Sequence, residues 1–165
     1  MKIAFNAGEV FEIAQQVERN GQRFYRRAAE QLKKDVGLQS MLLDLAAMEE
    51  EHERTFADMA AELSPQERQD AAYDPDNQAV QYLRAVAGGY VFDLRGDPLD
   101  WLGEGRSVEQ ILRKAIAMEK DSIAFYLGIK EAMPGRLGRG RIDGIIREEM
   151  SHVSLLSERL ASLGG

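Results

Sequence analysis

A glutamate and a histidine stand three residues apart inside an otherwise apolar stripe, and they do so twice: Glu49-Glu50-Glu51-His52 and Glu149-Met150-Ser151-His152. On a helix, residues three apart share a face. Around the first pair that face also carries Leu45 and Phe56. A carboxylate and an imidazole are therefore aimed where the leucine and phenylalanine pack. Burying a charged carboxylate without compensation is costly. A cation is one such compensation, and inward Glu-x-x-His pairs are a metal-holding device of helical bundles.

The rest of the chain supplies the bundle. Apolar positions recur with helical period at Val10, Ala14, Val17, Gly21, Phe24, Ala28 and Leu32. Asn6 and Glu9 read as a capping box at the start of this helix, with Phe5 and Val10 as its hydrophobic staple. Glu18 falls at the edge of its buried stripe. Asp35 reads as the cap of a second helix running to about Leu63. The short turn between them makes helices 1 and 2 antiparallel neighbours.

Residues 64–106 break the long periods. Ser64-Pro65-Gln66-Glu67 and Asp74-Pro75-Asp76-Asn77 both read as caps with proline at the first helical position. Two short helices should follow, the second ending near Gly88-Gly89, and Asp97-Pro98 starts one more turn. This stretch is expected to be the crossover of a four-helix fold. Ser107 and Gln110 cap a third long helix that ends at Pro134-Gly135, and a fourth runs from Leu137 or Gly140 to Leu163. The expected fold is all-α: an antiparallel four-helix bundle with a long crossover containing short helices between helices 2 and 3. One domain, 1–165, is expected, with hairpins 6–63 and 107–163.

The two hairpins repeat each other. Glu18-x5-Phe24-Tyr25 matches Glu119-x5-Phe125-Tyr126, as Glu49-x2-His52 matches Glu149-x2-His152, with intervals of 31 and 30 residues. Glu18 and Glu49 each lie roughly 20 Å from their shared turn, and Glu119 and Glu149 lie about 21 and 17 Å from theirs, at 1.5 Å per residue. Each hairpin thus brings two glutamates and a histidine to one level. Two divalent ions would offset four carboxylates, and imidazoles complete a mixed N/O set suited to iron or manganese, with zinc also compatible.

These paired motifs resemble the rubrerythrin-like members of the ferritin superfamily. Ala117-Met118-Glu119-Lys120-Asp121-Ser122-Ile123-Ala124-Phe125-Tyr126 is especially similar to that family's third helix. The resemblance covers all four long helices. It implies a ferritin-like bundle with a non-haem centre of two iron ions. Glu49 and Glu149 would bridge them, Glu18 and Glu119 would be terminal, His52 would hold the first ion and His152 the second. Tyr25 and Tyr126 fall where the family's tyrosines can hydrogen-bond ligand carboxylates. The implied function is an oxidoreductase acting on peroxide or dioxygen, as peroxidase or ferroxidase; the alternative is an iron-binding or iron-storage protein without turnover. A purely structural bundle is the third reading. A homodimer is implied, with Gly88-Gly89 as a hinge for exchanging hairpins.

The sequence departs from the family pattern at two points. Full-length rubrerythrin carries a cysteine-ligated electron-donating domain, and these 165 residues contain no cysteine. Turnover would need an external donor such as a rubredoxin-like protein. Ser122 stands where the family has an additional helix-3 glutamate, which puts its redox-linked ligand exchange in doubt. The absence of cysteine also excludes disulfides, thiolate zinc sites and iron–sulfur clusters within this chain.

Net charge is −7, which argues against a nucleic-acid partner. No signal peptide or membrane-length apolar run is visible, so a cytoplasmic location is expected. Glu50, Glu51 and Glu148 read as a solvated face, with Glu148 the alternative ligand if the register shifts. Met48, Met118 and Met150 read as core filler, and Trp101 as an anchor for the crossover. Arg136, Arg139 and Arg141 read as an exposed basic turn; a docking site for an acidic electron donor is the alternative.

Overall fold

A computed structural model describes residues 6–69, 78–86, 97–103, 105–133 and 135–164. Four long helices form the body: α1 (Ala7–Gln31), α2 (Val36–Ala61), α6 (Val108–Ala132) and α7 (Arg139–Ser162). Between α2 and α6 lie three short ones: α3 (Pro65–Gln69), α4 (Gln78–Ala85) and α5 (Pro98–Leu102). The described residues contain no strand. The architecture is the expected all-α, ferritin-like, antiparallel four-helix bundle with a crossover between the second and third long helices.

The helix starts follow their caps. The Asn6 side chain accepts from the Glu9 N–H at 2.9 Å, and Glu9 accepts in return from the Asn6 N–H. Asp35 accepts from Leu38 at 3.0 Å. Ser107 and Gln110 form a second reciprocal box. Each such cap stabilises its helix by about 1 kcal/mol. Phe5, Asp74 to Asn77, the Gly88-Gly89 pair and Pro134 lie outside the described residues. Helix α2 ends two residues before the expected Leu63. A 3-10 turn at Gly135–Leu137 and Gly138 at φ 83° precede α7.

The crossover spans the bundle's length. Gly8 near the start of α1 approaches Arg68 of α3, while Gln31 at its other end donates to the Gly103 carbonyl just beyond α5 at 2.6 Å. Trp101 is the anchor expected: it packs on Phe24 with ring centroids 6.4 Å apart, and Arg106 lies over its ring. Helix α4 lies on α6, where Tyr82 donates to the Ala124 carbonyl at 2.6 Å. Contact there is close because residue 128 is glycine. A Cβ at Gly128 would stand 2.7 Å from Leu83 Cδ2 and from the Tyr82 ring. Gly128→Leu should therefore lift α4 and cost about 1–3 kcal/mol, the usual penalty of overpacking. Thermal denaturation reads that loss directly.

Arg141 corrects the reading of the basic turn as merely exposed. Its guanidinium makes a two-pronged ion pair with Glu62, at 2.9 and 2.6 Å, tying the start of α7 to the end of α2. Arg139 is exposed as expected. Met150 also departs from expectation: it is 56% exposed and fills no core.

Apolar packing forms two clusters. One holds Phe11, Phe56, Met59, Phe125, Tyr126, Ile129 and Ile142; the other holds Phe24, Tyr25, Leu38, Leu42, Leu45, Ile111, Leu112 and Leu156. Every long helix passes from one cluster to the other. Helix α1 does so between Ala14 and Phe24, α2 between Leu45 and Phe56, α6 between Ala115 and Phe125, and α7 between Ile146 and Leu156. Each of these intervals contains one of the four repeated glutamates.

Candidate metal centre

The four glutamates and two histidines form a polar layer across the middle of the bundle. Glu18 and Glu149 have no exposed surface, and Glu49, Glu119, His52 and His152 are also buried. Two sets of donor atoms emerge. Glu18, Glu49, His52 and Glu149 bring one atom each within 4.8 Å of one another, and so do Glu49, Glu119, Glu149 and His152. Glu49 and Glu149 belong to both sets. The level matching of the two hairpins thus brings together all six residues singled out in the sequence.

The distances repeat the internal symmetry. His52 Nδ1 lies 3.6 Å from Glu18 and 3.2 Å from Glu149. His152 Nδ1 lies 3.5 Å from Glu119, 3.3 Å from Glu49 and 3.0 Å from Glu149. The imidazole planes are nearly parallel, with centroids 5.9 Å apart. Both Nδ1 atoms therefore face inward, one into each set.

The tyrosines are used crosswise. Tyr25 on α1 donates its hydroxyl to Glu119 on α6, and Tyr126 on α6 donates to Glu18 on α1. Neither hydroxyl reaches solvent, since both side chains are buried. Each fixes the carboxylate that belongs to only one donor set. Tyr25→Phe and Tyr126→Phe keep the packing and lose that bond. Each should weaken metal affinity about 10–100-fold, as removal of outer hydrogen-bond partners does, with little change in the far-UV spectrum. Competition with a chromogenic chelator measures the loss.

The electrostatics show why protein groups alone leave this layer unsettled. Burial pushes the Glu49 carboxyl well up, helped by repulsion from Glu18 and Glu119. Glu18 is raised by burial and by Glu149. Glu149 is pushed up to about 8 by burial, Glu49 and Glu119. Burial also works upward on Glu119, but His152, Glu149 and the Tyr25 hydroxyl outweigh it, and the net direction is down. Burial disfavours charge on the histidines, yet the carboxylates against their Nδ1 atoms win. His52 and His152 are both pushed up to about 12. Protons are thus drawn into the layer to balance its negative charge.

Two divalent ions would do the same more completely. Buried Glu18 Oε2, Glu49 Oε1, both Glu149 oxygens and both Nδ1 atoms crowd against one another yet form no well-aligned hydrogen bond in the protein. Buried polar atoms are ordinarily paired, so six orphans around two points are the mark of a site built for cations. Carboxylate oxygen plus imidazole nitrogen is a donor set suited to iron or manganese. Gly21 makes room for it: a Cβ there would lie 3.0 Å from Glu49 Oε2.

Glu148 is the residue whose role the sequence did not reveal. Its side chain is 53% exposed, as a solvated face requires, but it also lies 2.6 Å from His52 Nε2. It belongs to neither donor set. Met48 is half-buried beside a groove of about 550 Å³ between α2 and α7, which Met41, Asp44, Ser151, His152 and Leu155 also line.

Comparison with known proteins gives a family match over part of the chain and a fold match over nearly all of it. Residues 9–90 match the rubrerythrin family. The fold is similar to a crystal structure described as that of a ferritin-like diiron-carboxylate protein from Thermotoga maritima. That match has a TM-score of 0.75 and 23% identity, over 98% of each chain. Comparison with curated proteins gives no match. The family match ends before α6 and α7, which carry the second half of the repeat.

Proposed function

We propose that this chain, whose residues 9–90 match the rubrerythrin family, is a two-iron oxidoreductase that reduces peroxide or dioxygen. The observation that carries the reading is the sharing of Glu49 and Glu149 between two donor sets, each completed by its own glutamate and its own histidine. Glu49 and Glu149 would be shared by both ions, Glu18 and His52 would complete one position, and Glu119 and His152 the other. Iron(II) held at both positions would supply the two electrons that reduction of a peroxide requires.

The protein's own contribution is placement and insulation. The carboxylates set the spacing of the ions, and the two apolar clusters above and below limit solvent around them. Tyr25 and Tyr126 keep Glu119 and Glu18 oriented by donating to them. An oxidoreductase of this kind needs electrons returned after each event. These 165 residues include no cysteine to hold an iron–sulfur donor, so a reductant from outside them would close the cycle.

The test loads the protein anaerobically with two equivalents of iron(II) and adds peroxide. The expected result is two irons oxidised per peroxide consumed, faster than for iron(II) in buffer, and repeated turnover once a reductant is supplied. Oxidation no faster than in buffer contradicts the proposal. A single fast oxidation with no turnover under any reductant favours iron binding or storage instead.

No described helix is long and apolar enough to cross a membrane. Both hairpins of the chain meet at the site, so one chain can supply every proposed ligand.

A further inference from the structure

The internal repeat superposes residue n of α2 on residue n + 100 of α7, as His52 on His152 and Glu49 on Glu149. Glu148 then has a counterpart, and it is Met48. This difference makes the surroundings of the two histidines unequal. Glu148 lies 2.6 Å from Nε2 of His52 across the α2–α7 contact. The Glu148 oxygen accepts in this contact, so Nε2 carries a proton and Nδ1, which faces Glu18 and Glu149, is the nitrogen left to ligate once a metal displaces any proton there. Nε2 of His152 is buried and has no hydrogen-bond partner in the protein. Its ring instead borders the groove lined by Met48, whose thioether is at most a weak acceptor.

We propose that Glu148 is a positioning residue that makes the two metal positions unequal: it holds the His52 ring in its ligating tautomer and orientation, so that the His52 position fills first. The inference rests on the two-metal reading above. A histidine ligand whose far nitrogen donates to a carboxylate is a better and better-oriented donor, and loss of such a partner costs about 10–100-fold in metal affinity. The half-exposed setting of Glu148 places the effect towards the lower end of that range. The His152 position takes its ion second and exchanges it faster. The electron count at the centre would then depend on the occupancy of the weaker position.

The chain contains two histidines, so an imidazole NMR spectrum holds two sets of ring signals. The full-length protein, stripped of metal, is titrated with zinc, a diamagnetic probe of the same donors. In the wild type, the His52 signals should reach their bound positions with the first equivalent and the His152 signals with the second. His52 should show a protected, downfield Nε2–H. Glu148→Ala should abolish that proton signal, lower affinity for the first ion by about 10-fold and remove the order of filling. Glu148→Gln retains an acceptor oxygen and should restore the order in part. Met48→Glu gives His152 the missing partner and should bring the two positions closer in affinity. Simultaneous filling of both positions in the wild type overturns the inference while leaving two-metal binding intact. So does an unchanged order in Glu148→Ala. Failure of the folded wild type to bind zinc and iron overturns both the inference and the reading beneath it.

Discussion

Replacing Glu149 with glutamine should remove both metal ions at once and make the metal-free protein more stable. The two effects have one cause. Glu149 belongs to both donor sets, so its loss weakens both positions. The loss should exceed the roughly 100-fold that removing an outer partner costs. In the metal-free chain the same carboxylate is wholly buried, and burial and its neighbours push it up to about 8. A neutral amide of nearly equal volume is buried without taking up a proton. Since one pKa unit corresponds to about 1.4 kcal/mol, avoiding that proton uptake at neutral pH should stabilise the metal-free fold by a few kcal/mol. The melting temperature without metal should therefore rise, while the increase on adding iron(II) or manganese(II) should vanish. A carboxylate with a merely structural role would give the opposite sign in the first measurement and no effect in the second.

The metal-free protein should lose stability as pH rises from about 5 to about 9, and bound metal should abolish that loss. Five raised groups of the layer set the sign, Glu18 and Glu49 acting in the same sense as the three that follow. Glu149 is raised from its ordinary range to about 8, so between roughly 4.5 and 8 the folded chain holds a proton that the unfolded chain has released. His52 and His152 are raised to about 12, so above roughly 6.5 the folded chain again holds protons that the unfolded chain has lost. Where the unfolded state binds fewer protons, stability falls with pH. Glu119, shifted downward, acts in the opposite sense only at more acidic pH. Metal binding must expel these protons, because ligating imidazole is neutral and ligating glutamate ionised. Affinity should therefore climb with pH over the same interval. Calorimetry in buffers of different ionisation enthalpy counts the protons released. With free metal at 1,000 times its dissociation constant, the stabilisation is about 4 kcal/mol, or a rise on the order of 10 °C in melting temperature. A metal-free protein whose melting temperature increases between pH 5 and 9 would contradict the charge balance described for the layer.

The six proposed ligands were legible because their positions follow from local rules. Residues three apart on a helix share a face, and equal distances from a turn mean equal depth in a hairpin; Glu18, Glu49, Glu119 and Glu149 obey both. The caps at Asn6, Asp35 and Ser107 were legible for the same reason, being set within one turn of chain. What the sequence left open depends on how one hairpin rotates against the other. Glu148 sits on the exposed side of α7, and only the placement of α2 decides that His52 Nε2 meets it. Met150 is two residues on, and the same rotation turns it to solvent. The ion pair of Arg141 with Glu62 joins residues 79 positions apart, and a run of arginines and glycines carries no trace of it. Gly21 fell on the apolar stripe of helix 1, but its use as clearance for Glu49 needs the distance between two helices.

The central claim is that four buried acids share one layer because two cations neutralise them. Metal analysis of protein purified without chelator, normalised to chain concentration, tests it most directly. The account predicts two ions per chain, iron or manganese, and a matching rise in stability when they are restored after removal. A folded chain that carries no metal, takes none up, and is as stable at pH 9 as at pH 5 would contradict it.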